Sequence, residues 1–262
     1  MKKFSLCIFL VALVVGCVSS TERGEVGVER KQLLLMPNEQ VIAMSEQSYE
    51  QVKQEARQKR TLDSNPSLVA RLNEIADRIK PHTSVFSSEA PSWAWEVHAI
   101  TSNEINAYCM PGGKIMFYTG IVEKLQLTDA EIAAIMGHEI AHALREHGRE
   151  RMSQELVKQV SLEVLFASTN IDRKYANLVN TAAVLAVSLP YGRQQETEAD
   201  EIGVELMARA GYNPQEAVSL WQKMAKHGGA KPPQFLSTHP SDESRISSIN
   251  ALLPKVMHLY KR

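Results

Sequence analysis

The chain has 262 residues, of which 29 are Lys or Arg and 30 are Asp or Glu, so its formal net charge is −1. This length and a hydrophobic fraction of 44% are typical of one globular domain with a substantial core. A mildly acidic chain offers no general attraction for nucleic acid, so we predict no nucleic-acid partner.

The N-terminus is similar to a bacterial lipoprotein signal. Two lysines precede a mostly apolar stretch from Phe4 to Val15, and a glycine and Cys17 then follow. The apolar stretch is shorter than the ~20 residues of a comfortable membrane span. We therefore predict a signal peptide over residues 1–16 and acylation of Cys17, which would tether the chain to a membrane. The alternatives are a plain signal peptide with an incidental cysteine, or a short anchor.

The residues after Cys17 bear on where the lipid would hold the protein. Val18 and Ser19 follow the cysteine, with no aspartate next to it. By analogy with lipoproteins of Gram-negative bacteria, this favours the outer membrane and a location facing the periplasm. We interpret residues 17–32 as the lipidated cysteine and a flexible tether. Cys109 would then be the one remaining cysteine, so we predict no intramolecular disulfide in the mature chain.

Several further segments have helical or strand patterns. Asn38 to Lys59 and Pro66 to Lys80 predict amphipathic helices, and Asn213-Pro214 predicts the start of another. Lys114 to Thr119, bounded by glycines, has β character, and Trp95 to Thr101 is a plausible partner strand.

The strand from Lys114 allows two compatible interpretations. It is either an ordinary sheet strand or an edge strand bordering a cleft, to which an extended substrate adds by backbone hydrogen bonds. On the second interpretation we predict substrate contacts at the glycine pair and the first strand residues, namely Gly112, Gly113, Lys114, Ile115 and Met116.

Residues 138–142 read His-Glu-Ile-Ala-His. Histidines four apart project from one face of a helix, where both can bind one zinc ion at ~2.0–2.1 Å. Glu139 can then hold and deprotonate a water that the metal has made acidic. The alternative is a surface helix with two histidines and a solvated glutamate. The long apolar surface of this segment argues against it, because burying histidines without partners is costly.

The context of this pentapeptide is helical. Thr128 and Glu131 have the pattern of a capping box, and a helical pattern then runs from Asp129 to about His147, with Gly148 as the residue past its end. His147 is about half a turn out of phase with His138, so we predict that it points away from the metal.

A catalytic zinc needs three protein ligands and one open position. No third histidine follows at the metzincin spacing, so the third ligand must come from farther on. Read as a helix, Glu196 and Asp200 share a face, whereas Glu198 points elsewhere. Glu196 could ligate zinc while Asp200 accepts a hydrogen bond from a ligand histidine. An acidic, solvated helix face is the alternative, and on this segment alone it is the stronger one.

Several interpretations remain for the segment after the predicted metal site and for two late residues. Met152 to Leu189 is helix-prone, and its apolar run Ala182 to Leu189 is too short to span a bilayer; we predict a core helix, with a lid or a lipid-facing patch as alternatives. His239 is isolated before a proline, where a histidine is usually an ordinary loop residue. Arg245 could order this loop, contact substrate or be solvated.

Four segments, in order, resemble the HtpX-like and CAAX-prenyl-protease-type zinc metallopeptidases. They are the Asn-Ala-x-x-x-Pro-Gly-Gly-x-Ile stretch at 106–115, His138 to Gly148, the Glu196 to Asp200 helix, and Thr-His-Pro at 238–240 followed by Arg245. The resemblance covers about Leu62 to the C-terminus. It is closest to the soluble periplasmic members, because this chain lacks the transmembrane helices of the membrane-embedded ones.

The resemblance implies roles for these residues. The zinc ligands would be His138, His142 and Glu196, with Glu139 as the general base and Asp200 hydrogen-bonded to a ligand. His239 would reach the zinc site and either steady the tetrahedral oxyanion or occupy the open zinc position. We assign Arg245 to substrate contact.

We therefore predict an α+β, mainly α, zincin-like metalloprotease domain over residues 33–262, with a small β-sheet bordering the active-site cleft. It would bind one Zn²⁺ per chain and act as a lipid-anchored endopeptidase that degrades misfolded or stalled envelope and outer-membrane proteins. The machinery that assembles outer-membrane proteins is a candidate partner. The alternative is a chaperone-like assembly factor with little or tightly repressed proteolysis. Prenyl-peptide processing fits poorly without a multi-span membrane chamber.

Overall fold

The computed structural model describes residues 17–168, 191–227, 234–239 and 243–261. The helices in these ranges are α1 (Asn38–Gln58), α2 (Pro66–Ile79), α3 (Thr119–Lys124), α4 (Asp129–Leu144), α5 (His147–Ser168), α6 (Arg193–Arg209), α7 (Gln215–His227), α8 (Gln234–Thr238) and α9 (Glu243–Val256). The strands are β1 (Cys17–Val18), β2 (Gln32–Leu33), β3 (Glu96–Ile100), β4 (Ala107–Met110) and β5 (Lys114–Tyr118). This mainly helical chain with a small sheet confirms the predicted fold class. Among the described helices, none is long and apolar enough to cross a membrane.

Helix α4, which carries the His-Glu-Ile-Ala-His sequence, begins as predicted. The Thr128 hydroxyl accepts a hydrogen bond from the Glu131 backbone N–H, and the Glu131 carboxylate accepts one from the Thr128 N–H. This reciprocal capping box satisfies two donors that a helix start leaves unpaired. Every residue from Glu131 to Leu144 is buried. The helix is thus the centre of the core, which excludes the surface-helix interpretation.

Helices α4 and α6 cross with their backbones in contact at Gly137 and Gly203. A Cβ atom on Gly137 would lie 2.7 Å from the Gly203 carbonyl oxygen, and one on Gly203 would lie 2.7 Å from the His138 nitrogen. Real side chains do not tolerate such distances to backbone atoms, so this crossing requires glycine on both helices. The close approach brings the two helices with the predicted ligands together.

The C-terminal end of α4 differs from the prediction. The helix ends at Leu144, Glu146 takes a left-handed conformation with φ of 49°, and α5 begins at His147. Gly148 lies inside the first turn of α5 and does not terminate α4. The turn at Glu146 reverses the direction in which His147 projects, and this residue is buried beside His142.

The three-stranded sheet has the order β3-β5-β4. Strand β5 pairs in parallel with β3, Val97 opposite Ile115, and antiparallel with β4, Cys109 opposite Ile115. The predicted partner strand is therefore confirmed, but the prediction of an edge strand from Lys114 is wrong, because β5 is the central strand. Within the described residues, β4 pairs with β5 alone and packs against α4.

Residues 17–36, which we call the N-terminal strap, pack on the body of the protein. Strands β1 and β2 pair antiparallel, and Val26 and Val28 are buried in the main core. The Val26 N–H donates to a Glu205 carboxylate oxygen at 3.0 Å. The prediction of a flexible tether over residues 17–32 is therefore wrong for this segment, because its few apolar side chains and its polar groups are used in packing.

Two further predictions meet different outcomes. Helices α1 and α2 confirm the predicted amphipathic helices, and the Tyr49 hydroxyl of α1 donates to the Ile115 carbonyl at 2.5 Å, which braces the sheet. Of the segment Met152 to Leu189, the structure describes α5 up to Ser168, so the predicted core helix or lid at Ala182–Leu189 lies outside the described residues.

Candidate metal site

The two histidines of α4 turn the same ring nitrogen towards a common point. The Nε2 atoms of His138 and His142 lie 3.1 Å apart, and both residues are at most 3% exposed. The helical repeat produces this arrangement, because residues four apart lie one above the other on one face. Two side chains placed in this way can share one ligand between them.

Helix α6 supplies a carboxylate to the same point. The Glu196 Oε1 atom lies 3.4 Å from His142 Nε2, and Oε2 lies 3.6 Å from His138 Nε2. Burial alone raises the pKa of Glu196, but the charges of His239 and Arg245 and a hydrogen bond from His239 hold it well below its usual range. The carboxylate is therefore ionised, as a metal ligand must be.

His239 joins this cluster from the residue after α8. Its Nδ1 atom lies 3.0 Å from Glu196 Oε1 and 3.2 Å from His138 Nε2. The His239 N–H donates to the Phe235 carbonyl at 2.8 Å, and the two rings stack with centroids 4.5 Å apart. One ligand atom from each of the four buried residues, His138, His142, Glu196 and His239, lies within 4.8 Å of the others.

Asp200 and Arg245 hold two of the cluster residues in place. Asp200 Oδ1 lies 2.9 Å from His138 Nδ1, the contact predicted from the sequence. Arg245 donates to both Asp200 oxygens, at 2.6 and 2.8 Å, and its Nη1 lies 2.6 Å from Glu196 Oε2. The guanidinium is also centred 3.5 Å from the Trp221 ring.

This environment changes the predicted role of Arg245. The residue is only 7% exposed, and its charge faces Asp200 and Glu196. A substrate contact needs an accessible guanidinium, so the structure instead assigns Arg245 to orienting the acidic groups of the cluster.

Glu139 lies beside His239 of this cluster and is 2% exposed. Its Oε1 atom has no hydrogen-bond partner among the described residues, and the nearest ionisable group is His239, with Nε2 at 3.4 Å. Burial raises the pKa of Glu139, and the nearby His239 and His138 only partly oppose this. A buried carboxylate with a raised pKa and an unused oxygen is suited to accepting a proton.

The cluster fits a zinc ion. Zinc sites are tetrahedral with Zn–N distances of ~2.0–2.1 Å, so adjacent donors lie about 3.3 Å apart. His142 Nε2 lies 3.1 Å from His138 Nε2 and 3.4 Å from Glu196 Oε1, close to this spacing. Burial lowers the pKa of His142 well below its usual value, which keeps its ring neutral. Two neutral imidazoles and a carboxylate are donors that zinc prefers.

The predicted substrate-binding residues of β5 are buried and already have partners within the protein. Ile115 and Met116 are fully buried, and the Lys114 ammonium donates to the Ala94 carbonyl and to Glu96. Gly112 and Gly113 form the turn between β4 and β5, with φ of 82° and 79°. Addition of a substrate strand to β5 is excluded because both of its edges are already paired.

The sequence reasoning missed a buried network behind His142. His147 Nδ1 lies 2.8 Å from His142 Nδ1, and His147 Nε2 lies 3.1 Å from Glu198 Oε2. Burial lowers the pKa of His147, although its hydrogen bond to Glu198 opposes this. The Tyr191 ring stacks on His142 at 3.8 Å. A signal was available, since His147 follows His142 closely, but an uninterrupted helix would have turned it away.

A buried helix with two histidine donors, a carboxylate from a later helix and a buried glutamate base define a zincin-type metallopeptidase. The model for peptidase family M48 matches residues 63–253, and the chain belongs to this family. The chain is accordingly a zinc metallopeptidase, which confirms the resemblance, the enzyme class and the metal predicted from the sequence.

Several proteins with similar sequences are named as metalloendopeptidases or proteases. Mitochondrial metalloendopeptidase OMA1 of Saccharomyces cerevisiae is 32% identical over 198 residues, which is 72% of this chain and 56% of that protein. Its namesake in Arabidopsis thaliana is 39% identical over 152 residues, 58% of this chain and 30% of that protein. The Beta-barrel assembly-enhancing protease of Escherichia coli is 26% identical over 196 residues, 71% of this chain and 39% of that protein. The chain therefore spans between about a third and just over half of each relative's length.

Proposed function

We propose that the chain is an endopeptidase that cleaves unfolded or misfolded proteins of the bacterial envelope, with His138, His142 and Glu196 as its zinc ligands and Glu139 as its base. The observation that carries this proposal is the convergence of three donors beside a buried glutamate with an unused oxygen. A carboxylate placed in this way has a clear use in proton transfer and none in holding the fold together.

The chain's own residues divide the chemistry between them. When bound, zinc would acidify a water and polarise the scissile carbonyl. Glu139 accepts the water proton at Oε1 and later delivers it to the leaving amine. Asp200 accepts a hydrogen bond from His138 Nδ1 and so orients the His138 ring. Arg245 binds both Asp200 and Glu196 and fixes the two carboxylates relative to each other.

An extended substrate has a place to bind on β4 (Ala107–Met110). This strand uses one edge for β5 and packs against the helix that carries His138 and Glu139. Backbone hydrogen bonds from a free strand edge require little sequence specificity in the partner. Unfolded chains expose such backbone, which supports them as the substrate class.

The envelope location is supported by the chain's own N-terminus and by one relative's name. Residues 1–16 have the order of a lipoprotein signal, and Cys17 is the acylation position. The Escherichia coli relative is named for β-barrel assembly, which supports outer-membrane proteins and their assembly machinery as substrates or partners. Mass spectrometry of the N-terminal peptide from membrane-extracted protein tests the anchor, since an unacylated Cys17 would contradict it.

A second candidate function is a chaperone-like assembly factor whose proteolysis is rare. It is favoured by His239, because its Nδ1 lies among the metal donors and its Nε2 lies 3.4 Å from Glu139. A resting site occupied in this way would repress cleavage without removing the surfaces that bind a substrate.

The variant Glu139→Gln tests the proposed function. It retains the side-chain shape and leaves all zinc donors in place, so zinc content should stay at one per chain while digestion of unfolded casein falls by about 10²-fold or more. The exposed Glu123→Gln is the matched control and should cleave normally. Both measurements use the purified protein from Val18 onward, with metal content determined in the same sample.

The same variant separates the two candidate functions in cells. If Glu139→Gln cells lose envelope-protein quality control, proteolysis is the function. If they assemble outer-membrane proteins as well as wild type does, the proteolytic proposal fails and the binding role takes its place.

A further inference from the structure

His147 is a buried histidine that the mechanism above does not use. It opens α5 immediately after the left-handed turn at Glu146, and it is fully buried. Its two ring nitrogens face opposite partners. Nδ1 lies 2.8 Å from His142 Nδ1, and Nε2 lies 3.1 Å from Glu198 Oε2.

The partners determine where the protons are in this chain of groups. An ionised carboxylate only accepts hydrogen bonds, so His147 Nε2 donates to Glu198. The neutral ring of His147 then offers a lone pair at Nδ1, and His142 Nδ1 must carry the proton that the two atoms share. His142 Nε2 is left with a free lone pair, and it faces His138 Nε2 at 3.1 Å. With the protons placed in this way, the lone pair of His142 Nε2 is available to coordinate a metal.

Two arginines keep Glu198 ionised and oriented. Arg145, fully buried, donates from Nε to Glu198 Oε2 at 2.9 Å, and Arg30 of the N-terminal strap donates to both oxygens of the same carboxylate. Arg145 is in turn fixed by the strap, because it donates to the Arg30 carbonyl at 2.9 Å and to the Thr21 hydroxyl at 3.1 Å. Glu198 thus accepts hydrogen bonds from His147 and from two guanidinium groups, which fix its carboxylate in place.

The two histidines of α4 are therefore held by different contacts. His138 has Asp200 directly on its Nδ1, whereas His142 reaches its carboxylate through a second imidazole. We propose that His147 and Glu198 are positioning residues of the zinc site, which fix the tautomer and ring angle of His142, and that Arg30 of the strap clamps Glu198 in place. This inference rests on the proposed assignment of His142 as a zinc ligand.

The test measures zinc affinity by competition with a chelator. We expect His147→Leu to bind zinc about 10- to 100-fold more weakly than wild type, the usual cost of losing a partner behind a metal ligand. His147→Asn should recover most of this loss, because its amide oxygen can replace the acceptor at Nδ1. The matched control is His98→Leu, which removes a half-buried histidine that pairs with Asp63 at 2.6 Å and should leave zinc affinity unchanged.

The visible spectrum of the cobalt-substituted protein provides a readout that fold stability alone does not move. At saturating Co²⁺, His147→Leu should shift or weaken the ligand-field bands, because the His142 ring is no longer held at its angle. His147→Asn should restore the wild-type spectrum, and His98→Leu should retain it.

The strap provides an independent pair of variants. Arg30→Ala should weaken zinc binding in the same direction as His147→Leu but by less, because Arg145 still holds Glu198. Arg23→Ala lies on the same strap and removes only an exposed ion pair with Glu29, so it should bind zinc like wild type. If His147→Leu fails to fold, this pair still tests whether the contacts of Glu198 support zinc binding.

Three results would overturn the inference, in whole or in part, in distinguishable ways. Wild-type zinc affinity and cobalt spectrum in His147→Leu, beside weakened binding in His142→Ala, would remove the positioning role and leave the ligand set intact. Unchanged affinity in His142→Ala would remove the ligand assignment and the inference together. Equal zinc affinity in Arg30→Ala and Arg23→Ala would overturn the clamp by the strap.

Discussion

His239 has one ring nitrogen among the metal donors and the other facing the proposed base. Nδ1 lies 3.0 Å from Glu196 Oε1, and Nε2 lies 3.4 Å from Glu139 Oε1. The sequence left two roles open, a stabiliser of the oxyanion or a cap on the zinc. A group within the donor cluster would fill the position that a catalytic zinc keeps for water, so we predict the cap.

We therefore expect His239→Ala to digest an unfolded protein faster than wild type at equal zinc content. The rates should be measured with His258→Ala as the control, because that histidine is exposed in the turn near the C-terminus. A fall in rate of about 10²- to 10³-fold would instead identify a group that stabilises the transition state, and would contradict the cap.

At the scale of single residues, the sequence predicted the site where its members follow a helical repeat. His138 and His142, and Glu196 and Asp200, are each four apart, so one periodicity placed each pair on a common face. His147 escaped prediction because its direction depends on the left-handed turn at Glu146, a conformation that a glutamate rarely adopts. Arg245 was misassigned because its burial depends on Trp221 and on α6, which the local sequence does not reveal.

At the scale of elements, the crossing of α4 and α6 determines how the ligands meet. The backbones touch at Gly137 and Gly203, one residue before His138 on α4 and seven after Glu196 on α6. Any side chain at this point must push the helices apart. The donors on the two helices would then separate, since each helix carries its ligands as a rigid unit.

We expect Gly203→Ala to destabilise the protein by about 1–3 kcal/mol or more through overpacking, and to weaken zinc binding at the same time. Gly148→Ala is the control, because a Cβ there meets no atom within 4 Å, and it should leave the melting temperature and zinc affinity unchanged or slightly raise the former. Thermal unfolding with and without zinc provides both quantities. If Gly203→Ala matched wild type in both melting temperature and zinc affinity, the two helices would tolerate a methyl group at their crossing.

Element starts were more predictable than element ends and strand order. Thr128 and Glu131 begin α4 through a local capping box, and a local pattern can be read from the sequence. The central position of β5 depends on a parallel partner, β3, that precedes it by a whole strand and lies on the opposite side from β4. Such an order follows from packing on α2 and α4, so the strand's own composition could not distinguish centre from edge.

At the scale of the whole molecule, the strap (residues 17–36) is the largest departure from the sequence prediction. Its residues 19–29 are mostly polar, with two glycines, which is typical of a linker. It nevertheless reaches the core through Val26 and Val28 and the metal-site network through Arg30. A short polar segment gives no periodic signal, and its packing depends on partners on other helices, among them the buried acceptors Glu150 and Glu198.

Buried or half-buried carboxylates also link the stability of the whole molecule to pH. Burial raises the pKa of Glu96, but hydrogen bonds from Lys53 and Lys114, at 2.6 and 2.9 Å, outweigh it and lower that pKa to about 2. A depressed pKa contributes stability that is fully present above the unfolded value of about 4.3 and is lost as the pH falls towards 2.

We therefore expect Glu96→Gln to be less stable than wild type at about pH 6, and the difference to shrink at about pH 3. Urea unfolding of the metal-free proteins measures both free energies without interference from zinc release. The exposed Glu123→Gln should follow wild type at both values. An equal difference at the two pH values would show that the loss comes from packing and not from the charge of Glu96.

The cluster residues are drawn from segments far apart in the chain. His138 and Asp200 are 62 residues apart, and His138 and His239 are 101 apart, while Arg30 joins Glu198 across 168 residues. Contacts over such separations form late, because each requires a large loop to close first. We therefore expect hydrolytic capacity to be acquired late in folding, so that a newly made or partly unfolded copy carries the pentapeptide but does not yet cut its neighbours.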